Sequence, residues 1–216
     1  DVSVFIPYGH TTAIVGESGS GKTTLLKLLL GYYPVSNGEL SIGGTNINRL
    51  NKKWWRRQCS VVMQDGVIFS DTIARNIAVG DGDVDMDRVK VAARVACIED
   101  YIVTLPLGYD TKIGRDGVGL SQGQKQRILI ARAFYKDSCY VFLDGATNSL
   151  DTFNERMIVE NLHSFYEHRT VVLVAHRLST VRHAHQIIVM NKGRIVEVGK
   201  HEELVKLHGY YYNLLR

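Results

Sequence analysis

The chain has 216 residues, 45% hydrophobic and 22% charged, which is the make-up of a soluble globular domain and not of a disordered chain. Three prolines and an aperiodic set of 20 glycines exclude collagen, and a formal charge of +4 is too small to imply nucleic acid. The three cysteines show no CxxC spacing and no His/Cys cluster, so a reducing compartment fits better than a disulfide framework, and no apolar run approaches the ~18 residues of a membrane span.

In chain order, Val2 to Ile6 alternates weakly and stops at the turn signal Pro7-Tyr8-Gly9. The apolar run Ala13-Ile14-Val15 leads into a glycine-rich loop. Thr23 to Leu30 reads as a helix closed by Gly31. Glu39 to Ile42 and Ser60 to Met63 read as strands. Asp71 to Ala78, Asp85 to Cys97 and Gln122 to Tyr135 carry helical periodicity, with no strand expected among them. Strand signals return at Tyr140 to Leu143, Thr170 to Val174, Gln186 to Met190 and Arg194 to Val198. Thr152 to Phe165 and His201 to Leu207 read as helices, and Gly209 to Arg216 as a terminal helical turn. Apolar strands alternating with helices predict a mostly parallel sheet covered on both faces.

Residues 16–23 read Gly-Glu-Ser-Gly-Ser-Gly-Lys-Thr and fit the pattern G-x-x-x-x-G-K-[ST] between a predicted strand and a predicted helix. Gly19 and Gly21 let the backbone bend, so that successive N–H groups along Gly16, Glu17, Ser18, Gly19, Ser20, Gly21, Lys22, Thr23 and Thr24 converge on phosphate oxygens. The helix beginning near Lys22 points its positive end at the same anion. Lys22 is placed to reach the β- and γ-phosphates, and Thr23 to offer a hydroxyl to Mg²⁺.

A second signature reads Leu120-Ser121-Gln122-Gly123-Gln124. A phosphate loop followed by this sequence resembles the ATP-binding domain of an ABC transporter, whose signature is LSGGQ; here Gln122 replaces the first Gly. The resemblance covers essentially the whole chain. It implies an α/β fold: a P-loop NTPase core with a mostly parallel sheet covered by helices, an inserted α-helical subdomain, and a small antiparallel β part near the N-terminus. The core would be residues 1–63 and 137–216, and residues 64–136 the glutamine loop and helical subdomain. It implies ATP and Mg²⁺ as ligands, with Gln64 touching Mg²⁺ and the attacking water, Asp144 holding Mg²⁺ beside Thr23, and His176 contacting the γ-phosphate. It also implies a head-to-tail pair, in which Ser121, Gln122, Gly123, Gln124 and Asp151 of one copy meet the nucleotide on the other. The segment Gly108 to Gly114 resembles the exporter-type loop that touches coupling helices. Transmembrane domains would then be the partners, with no nucleic acid, at the cytoplasmic face of a bacterial inner membrane. The form of the signature and of Ala146 to Asp151 is most similar to exporters of peptides and bacteriocins.

The sequence departs from the pattern in three places. The family's strand ends Asp-Glu, the Glu being the general base, whereas here it ends Asp144-Gly145. Loss of a positioned base typically costs ~10²–10⁴ in rate, so ATP is expected to bind and to turn over poorly. That leaves open a non-hydrolysing half of an asymmetric pair, a Glu removed to trap ATP, or a one-base change. Only 15 residues precede Gly16, so the N-terminus is expected to be truncated before the family's adenine-stacking aromatic, with Tyr8 a poor substitute. Arg115 stands where the exporter loop carries Glu, with Asp116 beside it. Finally, five basic residues between Arg49 and Arg57 flank Trp54 and Trp55; nucleic-acid binding is one reading, a solvated surface tucking both rings against the domain the preferred one. A regulatory ATP-binding module and a non-transport ABC ATPase are the alternatives. The 56 residues between Gln64 and Ser121 suit a compact subdomain and not a long coiled coil.

Overall fold

The structure, a computed structural model, describes residues 2–80, 82–146, 152–175 and 181–215. In chain order its elements are β1 (Thr11–Val15), α1 (Lys22–Leu29), β2 (Ser41–Ile42), β3 (Thr45–Asn46), α2 (Lys52–Gln58), β4 (Cys59–Val62), β5 (Asp71–Thr72), α3 (Ile73–Ile77), α4 (Met86–Val95), α5 (Glu99–Thr104), β6 (Lys112–Ile113), α6 (Gln122–Lys136), β7 (Tyr140–Asp144), α7 (Thr152–Tyr166), β8 (Thr170–Val174), β9 (Gln186–Asn191), β10 (Arg194–Gly199), α8 (His201–Leu207) and α9 (Tyr210–Leu214). They form two compact units, residues 1–60, 139–144 and 168–216, and residues 61–138 and 145–167.

The first unit is an α/β layer structure. Its sheet runs β10-β9-β1-β8-β7-β4. The pairs β1–β8, β1–β9 and β7–β8 are parallel, and β10 returns antiparallel to β9 at the edge. Burial follows from this. All five residues of β8 are buried, as are four of five in β1 and β7, because a parallel strand has both faces covered. Edge strand β10 alternates half-buried with exposed residues, since one of its faces meets water. The turn joining β9 to β10 places Lys192 at φ 45° and Gly193 at φ 75°, the left-handed pair that matches the twist of a two-residue hairpin. A second small antiparallel hairpin pairs β2 with β3. Trp55 of α2 is buried, its ring packed edge-on against Tyr140 and Phe142 and its indole N–H donated to the Leu29 carbonyl at 3.1 Å. Trp54 is 51% exposed, so the expectation that both rings tuck inward holds for one of them. At helical spacing, adjacent residues face about 100° apart and cannot both reach the sheet.

The second unit is mostly helical, with α3 and α4 packed on α6 around Ile73, Ile77, Val89, Ala93 and Ile128. Here two expectations are corrected. The region is not free of strand: Asp71 pairs with Ile113 and Thr72 with Lys112 in a two-stranded ladder. Two residues per strand are too few to show a period, and Thr72 ends the strand and caps α3 at once, its hydroxyl accepting the Arg75 N–H at 3.1 Å. Helix α4 stops at Val95, not Cys97, because Cys97 takes φ 52° and its N–H, with that of Ile98, turns back to the carbonyls of Arg94 and Ala93. That is the closing geometry usually given to Gly. Helices α2 and α5 were unforeseen, each burying a single side chain and so carrying no apolar stripe. In the first unit, Val2 to Ile6 forms no strand.

Candidate functional site

Strand β1 delivers the chain into the glycine-rich loop, and α1 begins at its far side. Gly16, Gly19 and Gly21 lie at φ 150°, 77° and 99°. At Gly16 the need for glycine is steric as well, because a Cβ there would run into the Met190 carbonyl of β9. The loop is braced by its own turn, Ser20 N–H to Glu17 carbonyl at 3.2 Å, and by Gly193 N–H to Ser20 carbonyl at 3.0 Å. This support from the β9–β10 hairpin was not legible in advance; Gly193 was its only trace. Helix α1 has a glycine N-cap, no side-chain cap and no acidic residue in its first turn. Its leading N–H groups and positive dipole end are thus directed at whatever anion the loop holds.

Lys22 is buried and folds across the loop, its ammonium donating to the Gly16 and Glu17 carbonyls at 2.8 and 2.7 Å and to Ser20 Oγ at 3.4 Å. Burial pulls its pKa below the usual lysine value, and the nearby Asp144 carboxylate opposes that shift in part. Asp144 ends β7 and is 5% exposed. It accepts a hydrogen bond from Thr23 Oγ1 at 2.7 Å. Residues 121 positions apart in sequence are therefore in contact where parallel strands end beside the loop. Thr23 and Asp144 offer two hard oxygens side by side, the donor set suited to a divalent cation that keeps waters and takes further ligands from phosphate. Ser20 is buried; Glu17, Ser18, Gly19, Thr23 and Thr24 are exposed around the loop. Gly145 follows at φ 61° and brings no side chain. Tyr8 stacks edge-on against Tyr140, at the other end of β7 from Asp144, which places it away from the loop.

In the second unit, Gln64 is exposed in the turn after β4, closed by Gly66 N–H to Met63 carbonyl at 3.1 Å. The Ser121 side chain caps α6: Ser121 Oγ accepts from Gln124 N–H at 3.1 Å, and Gln124 Oε1 accepts from Ser121 N–H at 2.8 Å. Ser121 and Gln122 are exposed at that helix start, with Gly123 and Gln124 half-buried behind them. The loop around Gly108 is held by Tyr109, whose hydroxyl donates to Glu99 Oε1 at 3.3 Å. Burial and the Glu99 carboxylate push the Tyr109 phenol up to about 12. An open depression of about 320 Å³ is lined by Asp65, Gly66, Val67, Gly114, Leu120 and Lys125. Arg115 and Asp116 are exposed at its margin loop. Asp151 and His176 lie outside the described residues.

Residues 1–148 match the family model described as ABC transporter. The ATP-dependent lipid A-core flippase of Legionella pneumophila (strain Lens) is 45% identical over 216 residues, all of this chain and 37% of the flippase. The leukotoxin translocation ATP-binding protein LktB of Mannheimia haemolytica is 45% identical over 215 residues, 30% of its own length. A solved structure of a bacterial Atm1-family ABC exporter with ATP bound superposes with a TM-score of 0.91 at 39% identity, over 96% of this chain and 37% of that one. The chain thus spans about a third of the length of each of these relatives. Among the described residues, no helix is long and apolar enough to cross a membrane.

Proposed function

The chain belongs to the ABC transporter family, and from that premise we propose that it is the ATP-binding motor domain of an exporter. One observation carries the reading: Thr23 donates to the buried Asp144 at 2.7 Å beside a loop that Lys22 already spans. Loop amides and Lys22 would hold the β- and γ-phosphates of ATP. Thr23 and Asp144 would hold Mg²⁺, which supplies charge neutralisation at the phosphates. Gln64 and His176 are proposed to order the water and the γ-phosphate.

Domain organisation follows the same proposal, with residues 64–136 as a glutamine-loop and helical subdomain set into a core of residues 1–63 and 137–216. Ser121, Gln122, Gly123, Gln124 and Asp151 would serve the nucleotide of a second copy. The depression beside Gln64 and Gly114 is the proposed seat of the transmembrane domains, at the cytoplasmic face of a bacterial inner membrane. As for cargo, the leukotoxin relative supports a polypeptide, in line with the peptide or bacteriocin expected from the signature. The flippase relative supports a lipid equally well, and the transmembrane segments decide between them.

Gly145 favours a second reading, a domain that binds ATP and hardly hydrolyses it. The two are separated by steady-state ATP hydrolysis of this chain and of Gly145→Glu, with nucleotide binding followed in parallel. The motor reading expects Glu to raise turnover by about 10²–10⁴-fold with little change in affinity. At φ 61° the new side chain also costs about 1–2 kcal/mol of stability. If both versions bind ATP and both stay inert, the regulatory reading replaces it.

A further inference from the structure

Asn76 in α3 is fully buried, yet its amide serves a loop and not the core. Its Oδ1 accepts the Phe69 N–H at 2.8 Å. Its Nδ2 is shared among the carbonyls of Phe69 at 3.0 Å, Thr72 at 3.0 Å and Asp71 at 3.3 Å. Arg132, on the middle of α6, closes the arrangement. Its Nε donates to the Asn76 carbonyl at 2.7 Å, Nη1 to the Val67 carbonyl at 2.9 Å and Nη2 to Asn76 Oδ1 at 3.2 Å. The guanidinium also lies over the Phe69 ring at 5.1 Å. Every one of these acceptors is uncharged, and burial alone pulls the Arg132 pKa down to about 10. A half-buried cation given no anion among the described residues gains little stability from its charge. What it supplies here is geometry: a planar fork with three donors set on three separate acceptor atoms.

The strap thus gripped, Val67 to Thr72, begins three residues after Gln64. It is pressed to the same helix a second time, because a Cβ on Gly66 would come within 2.5 Å of Leu129 Cδ1. Helix α6 also carries Ser121 at its N-terminus, 11 residues from Arg132 and so about 16 Å along one rigid rod. We propose that Arg132 and Asn76 are positioning residues for ATP turnover: they clamp the Gln64 strap to α6, so that Gln64 and Ser121 are held as one body. The proposal rests on the motor reading for the roles of Gln64 and Ser121, but the clamp itself is a property of these residues alone.

The test uses Arg132→Gln, Arg132→Lys and Gly66→Ala, each in the Gly145→Glu chain, with two readouts. Hydrogen exchange reports the amides of 66–72 and 121–125 with and without ATP. Steady-state kinetics report kcat and KM for ATP. The clamp expects Arg132→Gln to speed exchange of 66–72 by about tenfold or more, the loss of two or three hydrogen bonds, while exchange elsewhere changes only by the amount that the lowered melting temperature accounts for. It expects kcat to fall about tenfold with KM unchanged, and Lys, which keeps the charge without the fork, to rescue neither. Gly66→Ala, which forces the strap off Leu129, should reproduce the kcat loss, and adding Leu129→Ala should reverse it. Exchange and kcat at parental values in Arg132→Gln, or full rescue by Lys, would overturn the clamp. If no version hydrolyses ATP, the motor reading fails and the exchange readout alone decides the clamp.

Discussion

At the scale of single residues, the contact that matters most joins Thr23 to Asp144. Asp144 is 5% exposed and ends a strand, and the Thr23 hydroxyl is the donor the structure sets on it, at 2.7 Å. Removing that donor leaves a buried carboxylate short of a partner. Thr23→Val is therefore expected to lower unfolding free energy by about 1–3 kcal/mol, measured by urea denaturation. Its effect on nucleotide should depend on the metal. Affinity for ATP without Mg²⁺ should change little, because the loop amides and Lys22 remain. The gain in affinity that Mg²⁺ brings should fall, because one of two hard oxygens is lost. Equal losses with and without Mg²⁺, in a calorimetric titration, would mean that Thr23 serves the phosphates and not the cation.

At the scale of elements, legibility in the sequence followed the amount of patterned burial. Strand β8 and helix α8 lie where their residues predict, from Thr170 to Val174 and from His201 to Leu207. Gly31 closes α1 as read, at φ 69° with Tyr32 N–H returning to the Lys27 carbonyl at 2.9 Å. Elements that bury one side chain, α2 and α5, left no pattern to read. Nor did the grip of Arg132 on Val67 and Asn76, because donors aimed at carbonyls leave no mark in the sequence of the acceptors. Tyr109 belongs to the same class. It pins the turn after α5 to Glu99, and Glu99 also meets Arg94 at 3.3 Å. The unfolded phenol ionises near 10.0 and the folded one only at about 12. The stability this raised pKa provides is complete below pH 10.0 and is lost as pH climbs toward 12. Tyr109→Phe has no proton to lose, so urea midpoints between those limits should fall less steeply with pH than in the parent chain. Parallel slopes would show that the alkaline loss arises elsewhere.

At the scale of the whole molecule, the phosphate loop and Asp144 belong to one unit and Ser121 to the other. The head-to-tail pair proposed above would make two composite sites, each taking its loop from one copy and its signature from the other. That arrangement has a consequence no side-by-side pairing shares. Lys22→Ala should remove ATP binding and, with it, ATP-driven association. Ser121→Arg should bind ATP and still not associate, because a bulky cation stands where the partner's γ-phosphate would meet the start of α6. A mixture of the two defective chains contains one intact site: the loop of the Ser121→Arg copy facing the signature of the Lys22→Ala copy. Sedimentation with Mg-ATP should therefore show pairs in the mixture and in neither chain alone. Those pairs should be weaker than the parental ones, since one bound nucleotide in place of two holds them closed. On the proposed reading, in which Gly145 slows turnover, the closed state is also lengthened, which favours the measurement. A mixture that stays monomeric while the parent chain pairs would mean that Ser121 does not act on the nucleotide of a second copy.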